Sequence, residues 1–140
     1  MIYIDLLPND ILELIFIKLN NFQKTFLNKE YYKKYHYLIK SKIKGNLYEN
    51  YLRDIIRLDY IFIFKEIIIE RFEYWMIYNK SIKYQNLIFT NYFSYINYLV
   101  NKYCSFKIKK EIILNLNNNN SLDKWEDKPK ILKRNKWRNI

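Results

Sequence analysis

Glycine, proline, cysteine and histidine are all scarce in this 140-residue chain, which contains one glycine, two prolines, one cysteine and one histidine. A single glycine excludes a glycine-rich phosphate-binding loop and leaves little of the positive-φ turn chemistry that β-hairpins use. The lone Cys104 excludes an internal disulfide and a cysteine-cluster metal site. We therefore predict an all-α fold of helices joined by short polar loops, in an intracellular location that is cytoplasmic or nuclear.

Long hydrophobic runs and catalytic motifs are also absent from the sequence. The longest apolar stretches have five residues, against roughly 18 for a membrane span, so we predict no membrane span. His36 has no second histidine or cysteine at ligand spacing, and Glu66, Glu70 and Glu73 surround Arg71 in a pattern typical of a solvated helix face. We predict that the protein is not an enzyme and needs neither a metal nor a cofactor.

The abundant residues and the net charge further narrow the class of protein and the kind of partner. Isoleucine, asparagine, lysine and tyrosine dominate, a bias typical of an AT-rich coding genome, and the hydrophobic fraction of 50% is in the globular range. The formal net charge is +11, but residues 1–23 are net acidic and the later residues carry the excess of positive charge. A positive net charge of this size favours association with polyanions, including nucleic acid and acidic proteins.

The most informative stretch runs from Leu6 to Leu19. Pro8 suits the first helical turn, where its missing N–H costs nothing, and Asp10 lies near the positive end of the helix dipole. At about 100° per residue, Ile11, Leu12, Ile15 and Leu19 form one broad stripe, with Leu14 and Ile17 on the opposite side. A helix that is apolar nearly all round is normally covered on more than one side, so either a later part of the chain or another protein covers the second face.

The same stretch resembles the start of an F-box. Leu7-Pro8 is followed by one free position, the acidic Asp10, two aliphatic residues, and then aliphatic residues at three- and four-residue steps. Residues 20–32 are similar to the rest of that motif, because a short segment with spaced apolar residues leads to a polar step and the aromatic pair Tyr31-Tyr32. The resemblance extends to about residue 40.

This resemblance implies a partner. F-box proteins present a three-helix motif to the Skp-type adaptor of a cullin-RING ubiquitin ligase, and they hold a target protein with the remaining chain. It therefore implies a non-catalytic adaptor in which one side of the first helix packs on Phe22, Phe26 and the third helix, while the Skp-type subunit covers the other. A decoy that occupies the Skp-type subunit without delivering a target is an open alternative. The implied adaptor-binding residues are Leu7, Pro8, Ile11, Leu12, Ile15, Leu19 and Phe22.

The rest of the chain is predicted from caps and periodicity. We expect an F-box-like domain at residues 1–44, a helical target-binding domain at 46–116, and an Asn-rich linker with a basic tail at 117–140. In the first domain, short helices follow over residues 21–27 and 28–44, the latter capped by Asn28 and followed by a boundary at Gly45. Beyond it, we expect a loop at 79–85 and helices over residues 46–58, 60–78, 86–102 and 106–116, although residues 60–64 and 67–69 also fit short buried strands. The apolar residues expected to face inward are Leu47, Tyr51, Leu52, Ile55 and Leu58 in the first of these helices, Ile61, Phe64, Ile68, Phe72 and Trp75 in the second, and Phe89, Phe93, Ile96, Leu99 and Val100 in the third.

A second function remains open, that of a basic nucleic-acid-associated or structural helical protein. In that case the first helix is core or a self-association surface. Lysines interleaved with tyrosines in the third helix, and a basic tail containing Trp125 and Trp137, favour nucleic acid because cations contact phosphates and exposed aromatic rings stack on bases. The candidate contacts with nucleic acid or with an acidic protein partner are Lys33, Lys34, Lys133, Arg134, Lys136 and Arg138.

Overall fold

A computed structural model describes residues 7–132 of the chain, which divides into two compact units after Leu52. The fold is mostly helical, as predicted, and residues 7–132 contain nine helices and one three-stranded sheet. Leu52 lies inside helix α5 (Asn46–Arg57), so this helix contributes residues to both units. Within the described residues, no helix combines the length and the apolar composition that crossing a membrane requires.

The first unit is built from short helices with polar caps. Asn20 and Gln23 form a capping box, in which each side chain accepts the backbone N–H of the other, at 2.8 and 3.0 Å. Asn28 caps the following helix as predicted, because its side chain accepts the Tyr31 N–H at 2.9 Å. The helices before α5 are α1 (Asn9–Lys18), α2 (Asn21–Lys24), α3 (Lys29–Tyr35) and α4 (Tyr37–Lys42).

The continuous third helix predicted over residues 28–44 is wrong, because α3 and α4 are separated at His36. The Ile39 N–H donates to the carbonyl of His36 at 3.0 Å, which is the tighter spacing of a 3₁₀ turn. The carbonyl of Tyr35 instead lies 3.5 Å from the hydroxyl of the fully buried Thr25. A local hydrogen bond from Thr25 therefore accompanies the interruption, and helical periodicity alone could not reveal it.

The second unit is organised around α6 (Ile61–Ile77), α7 (Tyr92–Lys102) and α8 (Phe106–Asn118), which pack on one another. Its core is strongly aromatic. Trp75 is 2% exposed, and its ring stacks on Tyr92 with 5.0 Å between centroids and 7° between planes. The helix predictions over 60–78 and 106–116 are confirmed, and the core also includes Phe64, Phe89, Phe93, Ile96, Leu99, Ile108 and Ile112.

A small antiparallel sheet corrects the predictions for residues 79–91. Strands β1 (Ile82–Tyr84) and β2 (Leu87–Phe89) form a hairpin where we expected a loop and the first turns of a helix. The helix α7 begins only at Tyr92, where Asn91 accepts the Ser94 N–H at 2.9 Å. Phe89 is fully buried, as predicted, but it reaches the core from a strand and not from a helix.

Within residues 119–132, where a linker and a basic tail were predicted, the chain forms a further helix and a strand. The predicted break at residues 117–120 is wrong at its start, because α8 continues through Asn118. A further helix, α9 (Leu122–Glu126), packs on α7 and α8 and buries Trp125. Strand β3 (Lys130–Ile131) then pairs with β2, so the sheet has the order β1-β2-β3.

Positive φ angles occur at residues other than glycine, contrary to the expectation that the chain has little such turn chemistry. Gly45 has φ +58° and lies directly before α5, and four other described residues share this conformation. They are Asp59, Gln85, Cys104 and Asn120, with φ between 51° and 55°. Three of them follow the helices α5, α7 and α8 at the position where glycine is commonest.

Asp59 terminates helix α5, and its side chain caps the start of helix α8. The Tyr60 N–H donates to the Ile55 carbonyl at 3.1 Å, and the Asp59 N–H donates to the Ile56 carbonyl at 3.0 Å, which is the Schellman pattern. The Asp59 carboxylate accepts the N–H groups of residues 107 and 108, at 3.2 and 3.0 Å, in the first turn of α8. These two donors have no partner inside the helix, so Asp59 supplies the α8 cap from a distant part of the chain.

We expect Asp59→Ala to lower the free energy of unfolding by about 2–3 kcal/mol, because alanine loses the cap and fits poorly at positive φ. Asp59→Asn keeps a side-chain oxygen and tolerates this φ, so it should lose less than about 1 kcal/mol. Urea unfolding followed by circular dichroism measures both. Equal losses in the two variants would contradict the capping role.

Candidate docking surface

The two ends of α1 are defined by local sequence. The carbonyl of Pro8 accepts the Leu12 N–H at 3.0 Å, so the helix begins where the sequence predicts it. At the other end, Leu19 is extended with ψ 137°, and its N–H donates to the Ile15 carbonyl at 3.2 Å. The capping box at Asn20 follows immediately, so α2 begins close to the end of α1.

No residue of α1 is buried, although most of its side chains are apolar. On one face, Leu12, Ile15, Phe16 and Leu19 are half-buried, and the Phe16 ring lies 5.5 Å from that of Tyr31 between centroids. The opposite face is open. Its apolar members are Leu7, Ile11, Leu14 and Ile17, which are 38%, 40%, 56% and 80% exposed. We call these four residues the open face of α1.

The predicted adaptor-binding residues fall on both faces of the helix. Leu7, Pro8 and Ile11 are exposed, whereas Leu12, Ile15, Leu19 and Phe22 are half-buried. The prediction omitted Leu14 and Ile17, which are the most exposed apolar residues of α1. Their position opposite the main stripe was the signal that could have identified them, since it separates them from the side that packs on the chain.

One side of α1 was predicted to pack on Phe22, Phe26 and the third helix, and its contact with the third helix is the one between Phe16 and Tyr31. Phe22 and Phe26 contact each other. The two rings make an edge-to-face contact at 5.5 Å, with 87° between their planes. Phe22 is half-buried, but Phe26 is 51% exposed and lies beyond the end of α2. Phe26 therefore adds apolar surface to the first unit and is only partly covered by it.

The candidate nucleic-acid residues are separated along the chain. Lys33 and Lys34 are exposed on α3, and the Lys34 ammonium lies 5.2 Å from the centroid of the Tyr35 ring. Lys133, Arg134, Lys136 and Arg138 lie outside the described residues.

The described residues contain no group of three or more histidine, cysteine, aspartate or glutamate side chains arranged to hold a metal ion. His36 stacks on Tyr32, with 5.6 Å between ring centroids and 14° between planes. Its ring therefore takes part in local aromatic packing within the first unit.

The chain matches no protein-family model, no curated protein sequence and no solved structure. Its function is therefore inferred from its own residues and their geometry. The feature that most clearly indicates a binding partner is the open face of α1, because contiguous apolar surface of this kind commonly marks an interaction site.

Proposed function

We propose that this chain is a non-catalytic, F-box-like adaptor that docks on a Skp-type subunit of a cullin-RING ubiquitin ligase. The observation that carries the proposal is that α1 is apolar around most of its circumference, yet none of its residues is buried. The Leu7-Pro8 start, with Asp10 and the aliphatic residues after it, supplies the resemblance that identifies the partner. The proposal places the protein inside the cell.

The two faces of α1 have different roles in this proposal. Leu12, Ile15, Leu19 and Phe22 are half-buried and hold the helix in place. The open face, together with Pro8, makes the contact with the Skp-type subunit. An amphipathic helix that lies in an apolar groove contacts the groove with residues at three- and four-residue spacing. Leu7, Ile11 and Leu14 have this spacing. The helical remainder of the chain then presents an unidentified target protein.

Co-purification with a purified Skp-type subunit tests the proposal. We expect the intact chain to bind it, and the double variant Leu14→Gln with Ile17→Lys to bind at least roughly 30-fold more weakly, because burying each of these apolar side chains contributes about 1.5–3 kcal/mol. Both side chains are exposed and a lysine suits the last turn of a helix, so the fold should survive, as circular dichroism would verify.

A matched control is available in α6. Ile69 and Ile77 are 77% and 78% exposed, and Ile77 is the last residue of that helix. Ile69→Gln with Ile77→Lys should retain the Skp-type subunit. If the intact chain recovers none of it, or if both double variants lose it equally, the proposed docking surface is wrong.

A further inference from the structure

A second surface, in the unit formed by residues 53–140, combines positive charge with aromatic rings. The Lys102 ammonium lies among three tyrosines, at 5.7 Å from the ring centroid of Tyr84, 5.9 Å from that of Tyr98 and 5.5 Å from that of Tyr103. The Arg53 guanidinium lies 5.1 Å from the centroid of the same Tyr84 ring. We call these five residues the Lys102 cluster.

Two rings of the Lys102 cluster, those of Tyr84 and Tyr98, are held from behind. Tyr84 and Tyr98 each contact the fully buried core of this unit, with the Phe89 and Tyr98 centroids 5.5 Å apart and those of Tyr84 and Tyr95 5.6 Å apart. The Tyr98 hydroxyl donates to Gln85 Oε1 at 3.0 Å, and Arg53 Nη1 donates to the Tyr95 hydroxyl at 3.0 Å. The contacts of Tyr84 and Tyr98 fix the orientation of these two rings before any ligand arrives.

The front of the Lys102 cluster is accessible and positively charged. Tyr84, Tyr98 and Tyr103 are half-buried, and Lys102 is exposed. Burial, followed by a side-chain hydrogen bond with Tyr103, raises the pKa of Tyr84 above its usual value of 10.0, although the charges of Lys102 and Arg53 act in the opposite direction. Tyr84 is therefore neutral near pH 7, so its hydroxyl does not offset the two cations.

We propose that the Lys102 cluster binds single-stranded nucleic acid. The Lys102 ammonium lies within 5.9 Å of all three ring centroids, so its positive charge disfavours a cationic ligand and favours an anionic one. Phosphate oxygens contact Lys102 and Arg53, and unpaired bases stack on the accessible parts of the tyrosine rings. A duplex hides its base faces within the stack, and an acidic peptide offers no flat rings, so neither uses the tyrosines.

The net charge of +11 supports this ligand class because it raises the encounter rate with any polyanion. The surface is distinct from the open face of α1 and from the lysines of α3. It was not predicted from sequence, since Arg53, Tyr84 and Lys102 belong to three elements that only the fold brings together. The inference does not depend on the adaptor function.

Fluorescence anisotropy with a labelled single-stranded oligouridine tests the proposal on the full chain. We expect Lys102→Gln to weaken binding roughly 5–10-fold and to reduce the slope of log K against log salt by about 0.7, the value for one lost phosphate contact on a single strand. Tyr103→Leu should weaken binding about 5-fold or more without changing that slope, because it removes stacking, whereas Tyr103→Phe should bind normally.

Lys83 provides the matched control for charge. It adjoins Tyr84 in β1 but points to the opposite side of the strand and is exposed, so Lys83→Gln removes the same charge away from the cluster. Near-normal binding by Lys83→Gln is expected. A loss equal to that of Lys102→Gln would overturn the proposal, because binding would then follow net charge alone.

Three further outcomes would also overturn it: no binding of the oligouridine by the intact chain, equal affinity for a duplex of the same length, or equally effective competition by polyglutamate of matched charge. The last outcome would point to an acidic protein as the ligand. If a variant fails to fold, photo-crosslinking of 4-thiouridine oligonucleotide to the unaltered chain replaces it. Crosslinks at Tyr84, Tyr98 or Tyr103 are expected, and crosslinks confined to other residues would contradict the assignment.

Discussion

Trp75→Ala is expected to lower the free energy of unfolding by about 3–5 kcal/mol, a large part of the 5–15 kcal/mol typical of a small domain. The side chain is 2% exposed. Besides the stacked Tyr92, its ring meets Phe93 edge to face at 6.0 Å and approaches Phe64 at 6.4 Å. Removing the indole leaves a cavity lined by three aromatic rings, which can close only by moving α6 and α7 together.

Urea unfolding followed by circular dichroism at 222 nm measures this loss without depending on tryptophan emission. Trp75→Phe keeps an aromatic ring and should lose clearly less than Trp75→Ala. The control is Ile69→Ala on the same helix, where the side chain is 77% exposed, and it should stay within about 0.5 kcal/mol of the unaltered chain. A change below about 1 kcal/mol for Trp75→Ala would mean that this aromatic cluster is not the core of the second unit.

Helical periodicity predicted the long helices of the second unit well. In α6, Phe64, Ile68 and Trp75 were expected on the inner face and are almost fully buried. The prediction succeeded because a helix of 17 residues repeats its apolar pattern several times, so a single misplaced residue does not change the result. At the ends of α5 the pattern failed, since Leu47 and Leu58 are 64% and 50% exposed.

The hairpin at residues 82–89 was missed for a physical reason. Low glycine content argued against tight turns, but the two-residue loop of this hairpin places Gln85 at φ +53°. A non-glycine residue at this angle costs roughly 1–2 kcal/mol, and the strand pairing and the burial of Phe89 compensate for it. Composition gives the intrinsic cost of a turn, whereas the tertiary contacts that offset it are not visible in the sequence.

The candidate sites show the same division between local and tertiary information. The Leu7-Pro8 pattern and the apolar ring of α1 could be read directly, because both lie within one helix. Which apolar side remains open depends on packing against residues such as Tyr31, so Leu14 and Ile17 were not selected. The Lys102 cluster could not be predicted from a sequence pattern, because its rings come from elements separated along the chain.

A large loss of stability is also expected from a substitution in the segment that contains α9 and β3. Trp125 in α9 is 6% exposed, and its carbonyl accepts a hydrogen bond from Asn97 Nδ2 at 2.7 Å. Next to it, the Lys124 ammonium donates to the carbonyl of Met76 at 3.0 Å, and the Thr90 hydroxyl donates to Asp127. The segment is thus tied to α6 and α7 as well as to the sheet, which a basic tail would not require.

We expect Trp125→Ala to lower the free energy of unfolding by about 3 kcal/mol or more, because it removes the side chain that packs between α9 and the helices α7 and α8. Because α9 is short, part of this cost should appear as local release of the segment before the unit unfolds globally. Trypsin should then cleave after Lys124 or Lys130 much faster than in the unaltered chain, under conditions where circular dichroism shows the other helices intact.

Glu126→Ala is the control, because it changes an exposed residue in the same turn of α9. It should leave both the urea midpoint and the cleavage rate nearly unchanged. Rapid cleavage of the unaltered chain after Lys124 or Lys130, or an unchanged rate in Trp125→Ala, would show that the tryptophan does not anchor the segment. Since β3 follows α9 directly, loss of the anchor should also free Lys130–Ile131 from β2, and faster amide exchange in Leu87–Phe89 would report that separation.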